Sequence, residues 1–167
     1  MQEIADEGFR AIVCNRPDGE GMDQPNFEEI EAAAAKLGLR TAYLPITAGK
    51  VTDDDAAAFR DLMTELPGPI LAYCRTGTRS ATLWSLAVAK EKSVADILAA
   101  TQSAGYDMGG VVRRIANGGR TPTDRADARF DVVIVGGGAA GIAVASSLRH
   151  RKPNQSIAII DPADIHY

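Results

Sequence analysis

Short apolar runs alternate with helix-forming segments along most of the chain. The runs cover residues 11–14, 41–46 and 70–73, and a turn-rich or helix-forming stretch follows each of them. Such alternation is typical of an α/β structure in which helices cover a sheet of parallel strands. We therefore predict an α/β domain with three layers and a central, mainly parallel sheet over residues 1–117.

Helix-capping residues support the same interpretation. Residues 27–37 are rich in alanine and glutamate, and Gly38 stands where a helix commonly ends. Thr52 precedes three aspartates, as expected for a helix N-cap followed by acidic residues in the first turn. Further helices are predicted near residues 80–90, 94–104 and 108–116.

A second unit is predicted after a linker. Residues 118–129 combine glycines, a proline and charges without apolar periodicity, which is typical of a linker. Residues 130–135 then read as a buried strand, a glycine-rich turn opens a helix, and a second strand covers residues 156–160. Residues 130–167 are therefore predicted to form an incomplete Rossmann βαβ unit.

Composition restricts the partners and the location. The net charge is -4 and the charges are interspersed, so no basic stripe is available for nucleic acid. The sequence has no secretory features, and no apolar run reaches the roughly 20 residues that a spanning helix requires. We expect a cytoplasmic protein without a membrane segment, with Cys14 and Cys74 reduced. The oligomeric state is left open.

A loop suited to anion binding follows the third predicted strand. Its residues are Cys74, Arg75, Thr76, Gly77, Thr78 and Arg79, and Ser80 comes next. A turn that leads into a helix directs backbone N–H groups and the positive end of the helix dipole at one point, which favours both an anion and a thiolate. Cys74 is thus predicted to be the nucleophile and Arg79 to hold an oxyanion, with Arg75, Thr76, Gly77, Thr78 and Ser80 forming the cradle. The alternative is a buried structural cysteine, but so many polar residues suit a core poorly.

A reaction at a phosphate ester would also need a general acid. The candidates are Asp18, Glu20 and Asp53, although Asp53 is explained more economically as a helix-start residue. No histidine occurs before His150, so a Cys–His pair is excluded in the first domain and no metal site is predicted. Cys14 is a candidate resolving thiol, but its apolar strand favours a packed core residue.

The cysteine loop resembles those of the protein tyrosine phosphatase and rhodanese superfamilies. Four residues separate Cys74 from Arg79, which is similar to the rhodanese spacing. Together with Asn15–Glu20 and Leu44–Ile46, residues 1–117 resemble the phosphatase-like domain of beta-lactamase-hydrolase-like proteins. The resemblance implies a dual-specificity phosphatase fold and an association with sulfide metabolism.

Three functions are compatible with this loop. The leading hypothesis is a sulfurtransferase that carries sulfane sulfur as a Cys74 persulfide between a small-molecule donor and a thiol acceptor. The alternative is a phosphatase that acts on phosphate monoesters through a Cys74 phosphocysteine. A second alternative is a non-catalytic module that senses an anion and regulates a fused flavoprotein.

A dinucleotide fingerprint marks the C-terminal unit. Gly136, Gly138 and Gly141 follow a strand and open a helix, and Asp161 lies 20 residues after Gly141 at the end of the next strand. This end of the chain resembles the first βαβ unit of sulfide:quinone oxidoreductase-like flavoproteins, and the resemblance implies FAD as the cofactor. Because the remaining strands are absent from this chain, we expect no oxidoreductase activity from it.

Overall fold

The computed structural model describes residues 1–122, 130–136 and 138–160. The chain forms two compact units, Met1–Pro122 and Thr123–Tyr167. The helices of the first unit are α1 (Gln2–Asp6), α2 (Phe27–Ala35), α3 (Asp53–Glu65), α4 (Thr78–Ala87), α5 (Val94–Ser103), a 3₁₀ turn (Gly109–Val111) and α6 (Val112–Ala116). Its strands are β1 (Ala11–Cys14), β2 (Arg40–Tyr43) and β3 (Ile70–Tyr73).

The three strands of the first unit form one parallel sheet in the order β2-β1-β3. Cys14 at the end of β1 pairs with Tyr43 on one side and with Tyr73 on the other. The predicted α/β class with a parallel sheet is therefore confirmed. Since parallel strands end at the same edge, the residues that follow Cys14, Tyr43 and Tyr73 are brought close together.

Side chains of β1 alternate between two cores, one on each face of the sheet. Ala11 and Val13 pack on one face with Phe59 of α3 and Leu83 of α4. Ile12 points to the other face, where it packs with a second cluster that contains Ala34, Leu39 and the partly buried Ile4. The central strand is completely buried because helices cover both faces, which produces the three layers.

Several boundaries differ from the sequence prediction. The first helix, α1, was not predicted, and β2 ends at Tyr43 instead of residue 46. The N–H groups of Leu44 and Ile46 still donate to the carbonyls of Cys14 at 2.9 Å and Asn15 at 3.1 Å, so the chain stays beside β1 after β2 ends. Helix α4 begins at Thr78, two residues earlier than predicted.

The first unit continues into the segment predicted as a linker. The N–H and the hydroxyl of Thr121 both donate to the carboxylate of Asp53 at 2.8–2.9 Å. Gly119 lies so close to the backbone of Leu86 that a Cβ would overlap the Leu86 carbonyl oxygen. Residues 118–122 consequently belong to the first compact unit.

The second unit has the predicted strand–helix–strand order. It contains β4 (Val132–Val135), α7 (Ala139–Arg151) and β5 (Ile157–Ile160), and the two strands pair in parallel. Apolar side chains on both strands and on α7 are exposed, among them Val135, Ile142 and Ile160. No helix within the described part of either unit is long and apolar enough to cross a lipid bilayer.

Candidate active site at the Cys74 loop

The loop joins the end of β3 to the start of α4. Cys74 directly follows β3, and Gly77 is the N-cap of α4 with a left-handed φ of 89°. This conformation turns the backbone so that the N–H of Gly77 donates to the Cys74 Sγ at 3.2 Å. The sulfur therefore lies at the amino-terminal end of a ten-residue helix, as the sequence predicted.

Backbone groups of the loop stabilise the Cys74 thiolate. Partial burial acts against ionisation, but the N–H groups of Ser80, Thr76, Arg79 and Gly77 together bring the pKa of Cys74 below its ordinary value. These donors all point at one atom, and each of their hydrogen bonds favours the charged form of the sulfur. A larger share of Cys74 is thus nucleophilic at neutral pH than in an ordinary thiol.

Arg79 is buried and held by a carboxylate and a carbonyl. One of its terminal nitrogens lies 2.8 Å from Oε1 of Glu20 and donates to the carbonyl of Ile46 at 2.7 Å, and the other donates to Oε2 of Glu20 at 2.8 Å. Glu20 raises the pKa of Arg79, burial opposes this, and the negative charge of Cys74 raises it further. The guanidinium of Arg79 is therefore charged and close to the Cys74 sulfur. Both of its terminal nitrogens are paired with the carboxylate of Glu20.

Glu20 is the candidate acid that contacts the loop. Its carboxylate binds Arg79 and also accepts from the Nε of Arg16 at 3.0 Å. The hydrogen bond from Arg79 is the main reason that the pKa of Glu20 lies below its usual value. Glu20 is consequently an ionised partner of Arg79 at neutral pH and a poor proton donor.

The other two candidate acids have structural partners. Asp18 accepts from the N–H of Phe27, the first residue of α2, at 2.9 Å. Asp53 accepts from Thr121 and from Arg114 at 2.7 Å. Burial raises the pKa of Asp53, but the bonds from Thr121 and Arg114 outweigh it and lower that pKa. Both carboxylates organise the fold, in agreement with the helix-start interpretation of Asp53.

The remaining cradle residues contribute in different ways. Arg75 is exposed. The hydroxyls of Thr76 and Thr78 lie 3.2 Å apart and share a hydrogen bond. The Ser80 hydroxyl donates to Oδ1 of Asn15 at 2.8 Å, so Ser80 acts on Cys74 through its backbone N–H.

Sequence reasoning missed Asn15 as a part of this site. The residue is completely buried at the end of β1, and its side chain also donates to the carbonyl of Leu44 at 3.1 Å. A buried amide at the carboxyl edge of a parallel sheet was the available signal, because buried polar groups are normally hydrogen-bonded to something. The sequence pattern instead places Asn15 in the turn-rich stretch that follows residues 11–14.

Cys14 is a buried residue at the end of β1. It is 2% exposed, and its Sγ donates to the carbonyl of Arg16 at 3.3 Å. Successive residues of a strand point to opposite faces, so Cys14 faces the side of Ile12 while Asn15 faces the side of Ser80. This placement fits the packed core residue that was favoured over a resolving thiol.

Three glycines of the second unit lie at the start of α7. Gly136 has a φ of 105°, and Gly138 is the N-cap of α7. A Cβ on Gly141 would overlap the carbonyl oxygen of Gly136, so glycine permits the close approach of helix and strand. These features fit the dinucleotide fingerprint, whereas Asp161 lies outside the described residues, and FAD binding stays a prediction. Across the described part of the chain, no group of three or more His, Cys, Asp or Glu side chains is arranged to hold a metal ion.

Comparisons by sequence identify related proteins. The model of the family described as beta-lactamase hydrolase-like protein, phosphatase-like domain, matches residues 1–91. A beta-lactamase hydrolase-like protein of Agrobacterium fabrum is 33% identical over 107 residues, which cover 63% of this chain and 25% of the relative. One from Xylella fastidiosa is 31% identical over 111 residues, or 65% of this chain and 26% of the relative. The match therefore spans about a quarter of the length of these relatives.

Solved structures share the fold of the first unit. A candidate phosphatase from Neisseria meningitidis is 35% identical, with a TM-score of 0.62 over 70% of this chain and 84% of that one. The core catalytic domain of a PP-IP phosphatase from S. cerevisiae has a TM-score of 0.52 at 14% identity, over 68% and 71% of the two chains, which shows the fold alone. The predicted resemblance to the phosphatase-like domain is thus confirmed for residues 1–91, while the resemblance of the C-terminal unit to flavoproteins stays a prediction.

Proposed function

The chain belongs to the beta-lactamase hydrolase-like, phosphatase-like domain family, and from this premise we propose that residues 1–122 act as a cysteine-dependent phosphatase. The observation that supports the proposal most is the position of the Cys74 Sγ, which accepts the Gly77 N–H at the start of α4. The same backbone donors suit the oxygens of a phosphoryl group as it is transferred. We therefore propose a phosphatase rather than the sulfurtransferase that the spacing between Cys74 and Arg79 favoured.

The proposed reaction has two steps. The Cys74 thiolate attacks phosphorus, so an S–P bond forms while the bond from phosphorus to the leaving oxygen breaks and its electron pair leaves with that oxygen. Water then attacks the phosphocysteine, the S–P bond breaks, and inorganic phosphate and the thiolate are released. Loop amides and the positive charge of Arg79 stabilise the phosphoryl oxygens in both steps.

The carboxylates restrict the substrates that this mechanism accepts. Glu20 is ionised through its contact with Arg79 and does not supply a proton to the leaving oxygen at neutral pH. Esters whose leaving group is already stable as an anion, such as aryl phosphates, need no such proton. We therefore expect aryl phosphates to be hydrolysed faster than alkyl phosphates.

The first experiment compares hydrolysis of p-nitrophenyl phosphate by the wild type, Cys74→Ser and Cys14→Ala. Wild type and Cys14→Ala should release p-nitrophenol, and Cys74→Ser should not, because it lacks the thiolate. Mass spectrometry of the quenched wild-type reaction should detect one phosphoryl group on Cys74. Equal turnover by wild type and Cys74→Ser would contradict the proposal.

Sulfur transfer is a second candidate, and the engaged carboxylates favour it. Asp18, Glu20 and Asp53 are each bound to other groups, and a sulfurtransferase needs no general acid. The thiolate would attack the outer sulfur of thiosulfate, so that an S–S bond forms on Cys74 and sulfite leaves with the electrons of the broken bond. An acceptor thiolate would then take the outer sulfur as its own persulfide and release the Cys74 thiolate.

The two candidates make different products and can be separated directly. Incubation with thiosulfate or glutathione persulfide, followed by intact-mass spectrometry, should add one sulfur atom to the wild type and none to Cys74→Ser if sulfur transfer occurs. An adduct that a thiol removes, without hydrolysis of aryl phosphate, would replace the phosphatase proposal. Sulfate binding without either reaction would instead favour an anion-sensing module.

For the second unit we propose the beginning of an FAD site. Gly136, Gly138 and Gly141 would let the pyrophosphate approach the amino end of α7, and FAD would supply redox chemistry when bound. Equilibrium dialysis with FAD tests this on the whole chain, with Gly141→Val as the variant that should lose binding. Equal FAD binding by both chains would contradict the assignment.

A further inference from the structure

Asn15 makes four hydrogen bonds from a fully buried position at the end of β1. Its backbone N–H donates to the carbonyl of Tyr73 at 2.8 Å, and its carbonyl accepts from the N–H of Ile46 at 3.1 Å. Its side-chain amide donates to the carbonyl of Leu44 at 3.1 Å and accepts from the hydroxyl of Ser80 at 2.8 Å. A residue that is buried with all of these groups satisfied is fixed in one orientation.

Two of these bonds reach the two ends of the reactive loop. Tyr73 is the residue immediately before Cys74, and Ser80 is the residue immediately after Arg79. The six loop residues consequently lie between two points that are both attached to Asn15. These two bonds fix the distance between the end of β3 and the first turn of α4. The backbone N–H groups of the loop are thereby kept directed at the sulfur.

The other two bonds fix the segment that holds Arg79. Asn15 binds Leu44 through its side chain and Ile46 through its backbone, on either side of Pro45. The carbonyl of Ile46 in turn accepts from Arg79 at 2.7 Å. Asn15 thereby connects the ends of all three strands to the loop and to its arginine.

These contacts require a side-chain amide. The Ser80 hydroxyl donates to it while the Leu44 carbonyl accepts from it, so the residue must offer an acceptor and a donor at once. Aspartate supplies no donor for the carbonyl and would bring a second negative charge into a buried site beside the thiolate. Leucine has the volume but neither hydrogen-bonding group.

We propose that Asn15 is a positioning residue: its hydrogen bonds hold both ends of the Cys74 loop in place and so set the reactivity of the Cys74 sulfur. The inference rests on the proposed role of Cys74 as a reactive thiolate, but it is independent of whether phosphate or sulfane sulfur is transferred. Asn15 touches neither the sulfur nor a substrate in this role. It acts through the loop amides, whose aim at Sγ depends on the separation of the loop ends.

The experiment measures alkylation of Cys74 by iodoacetamide as a function of pH in the wild type and Asn15→Ala. Peptide mass spectrometry assigns the adduct to Cys74, so the buried Cys14 does not interfere. The charged groups around the sulfur, Arg79 with Glu20 and the neighbouring Arg75, are the same in both chains. Asn15→Ala should react roughly three- to tenfold more slowly at neutral pH, and its profile should move to higher pH, as expected when amide donors to a charged sulfur are lost.

Thr101→Ala is the matched control for a general loss of stability. Thr101 is also a buried polar residue, but its hydroxyl bonds to carbonyls within α5. This variant should keep the wild-type alkylation profile even if it unfolds more easily. The fluorescence of Trp84 in α4 shows whether each variant is folded under the assay conditions.

Ser80→Ala provides a second test that leaves Asn15 in place. It removes the bond at one end of the loop and should slow alkylation in the same direction as Asn15→Ala, by a smaller factor. A folded Asn15→Ala with the wild-type profile would overturn the inference, and an unchanged Ser80→Ala would do so if Asn15→Ala does not fold. A shifted profile in a protein that hydrolyses no phosphate ester would uphold the inference and refute only the proposed phosphatase.

Discussion

Gly77→Ala should destabilise the first unit and distort the reactive loop. Gly77 has a φ of 89°, in the left-handed region that residues with a Cβ rarely adopt. A Cβ at this position would also overlap the hydroxyl and the ring of Tyr106. The substitution therefore has two separate costs, one in the backbone and one in packing.

The two costs can be estimated from their causes. A left-handed conformation costs a residue with a side chain roughly 1–2 kcal/mol relative to glycine. Overpacking against a neighbouring side chain commonly adds about 1–3 kcal/mol. We therefore expect Gly77→Ala to lower the free energy of unfolding by about 2–5 kcal/mol, which is a large part of the total for a small domain.

Gly105→Ala separates the two costs. Gly105 has a nearly identical φ of 86°, but a Cβ there would meet no atom within 4 Å. This control should lose only the backbone part, about 1–2 kcal/mol. Urea unfolding followed by the fluorescence of Trp84, the single tryptophan of the chain, measures both variants in the unit that contains the loop.

The two variants should also differ in how fast Cys74 is alkylated. Moving Gly77 displaces the N–H that lies 3.2 Å from the Cys74 sulfur, so Gly77→Ala should slow alkylation of Cys74, while Gly105→Ala should not. Equal losses of stability in the two variants would refute the argument that Tyr106 makes position 77 special. An unchanged Gly77→Ala would refute both parts of it.

Two further predictions concern the charged pairs of the first unit. Glu20→Gln removes the carboxylate that pairs with the two terminal nitrogens of Arg79. Phosphate and sulfate should therefore inhibit hydrolysis of p-nitrophenyl phosphate more tightly in this variant than in the wild type. Weaker inhibition would mean that Glu20 mainly orients Arg79 for the anion. Because the pKa of Asp53 is lowered in the fold, its ionised form contributes stability at neutral pH that is lost as the pH falls through the lowered value. Asp53→Asn should therefore lower the free energy of unfolding by about 1 kcal/mol at pH 7 and by little at acidic pH, as measured by urea titration. The same loss at both pH values, or an equal loss in the neighbouring Asp54→Asn, would contradict this.

Local sequence patterns predicted the elements well where capping and composition agreed. Thr52 and Asp55 form the two reciprocal bonds of a capping box at the start of α3, where an N-cap was predicted. Asn26 and Glu29 form a second capping box at the start of α2, which the sequence interpretation did not use. The end of β2 at Tyr43 was not predictable from the apolar run, because only the pairing with β1 shows where the regular register stops.

The position of Cys74 at a helix start was predictable because its surroundings are local. Cys74 and the amide donors that act on it lie within seven residues of sequence, so a strand, a glycine turn and a helix start suffice to place them. The candidate acids were not predictable in the same way. The sequence offers Asp18 and Glu20 as equivalent carboxylates in one turn-rich stretch, beside Asp53 at a helix start, and only the partners in space show which of them contacts the loop.

By itself, the sequence determined the α/β class and the position of Cys74 between a strand and the start of a helix, because these depend on neighbouring residues and on the period of the apolar pattern. Tertiary structure alone decided that Glu20 pairs with Arg79 and that Asn15 accepts a hydrogen bond from Ser80. These pairs are separated by 59 and 65 positions along the chain. They meet because three parallel strands end at one edge of the sheet, and that pairing is set by packing over the whole unit, which no local pattern records.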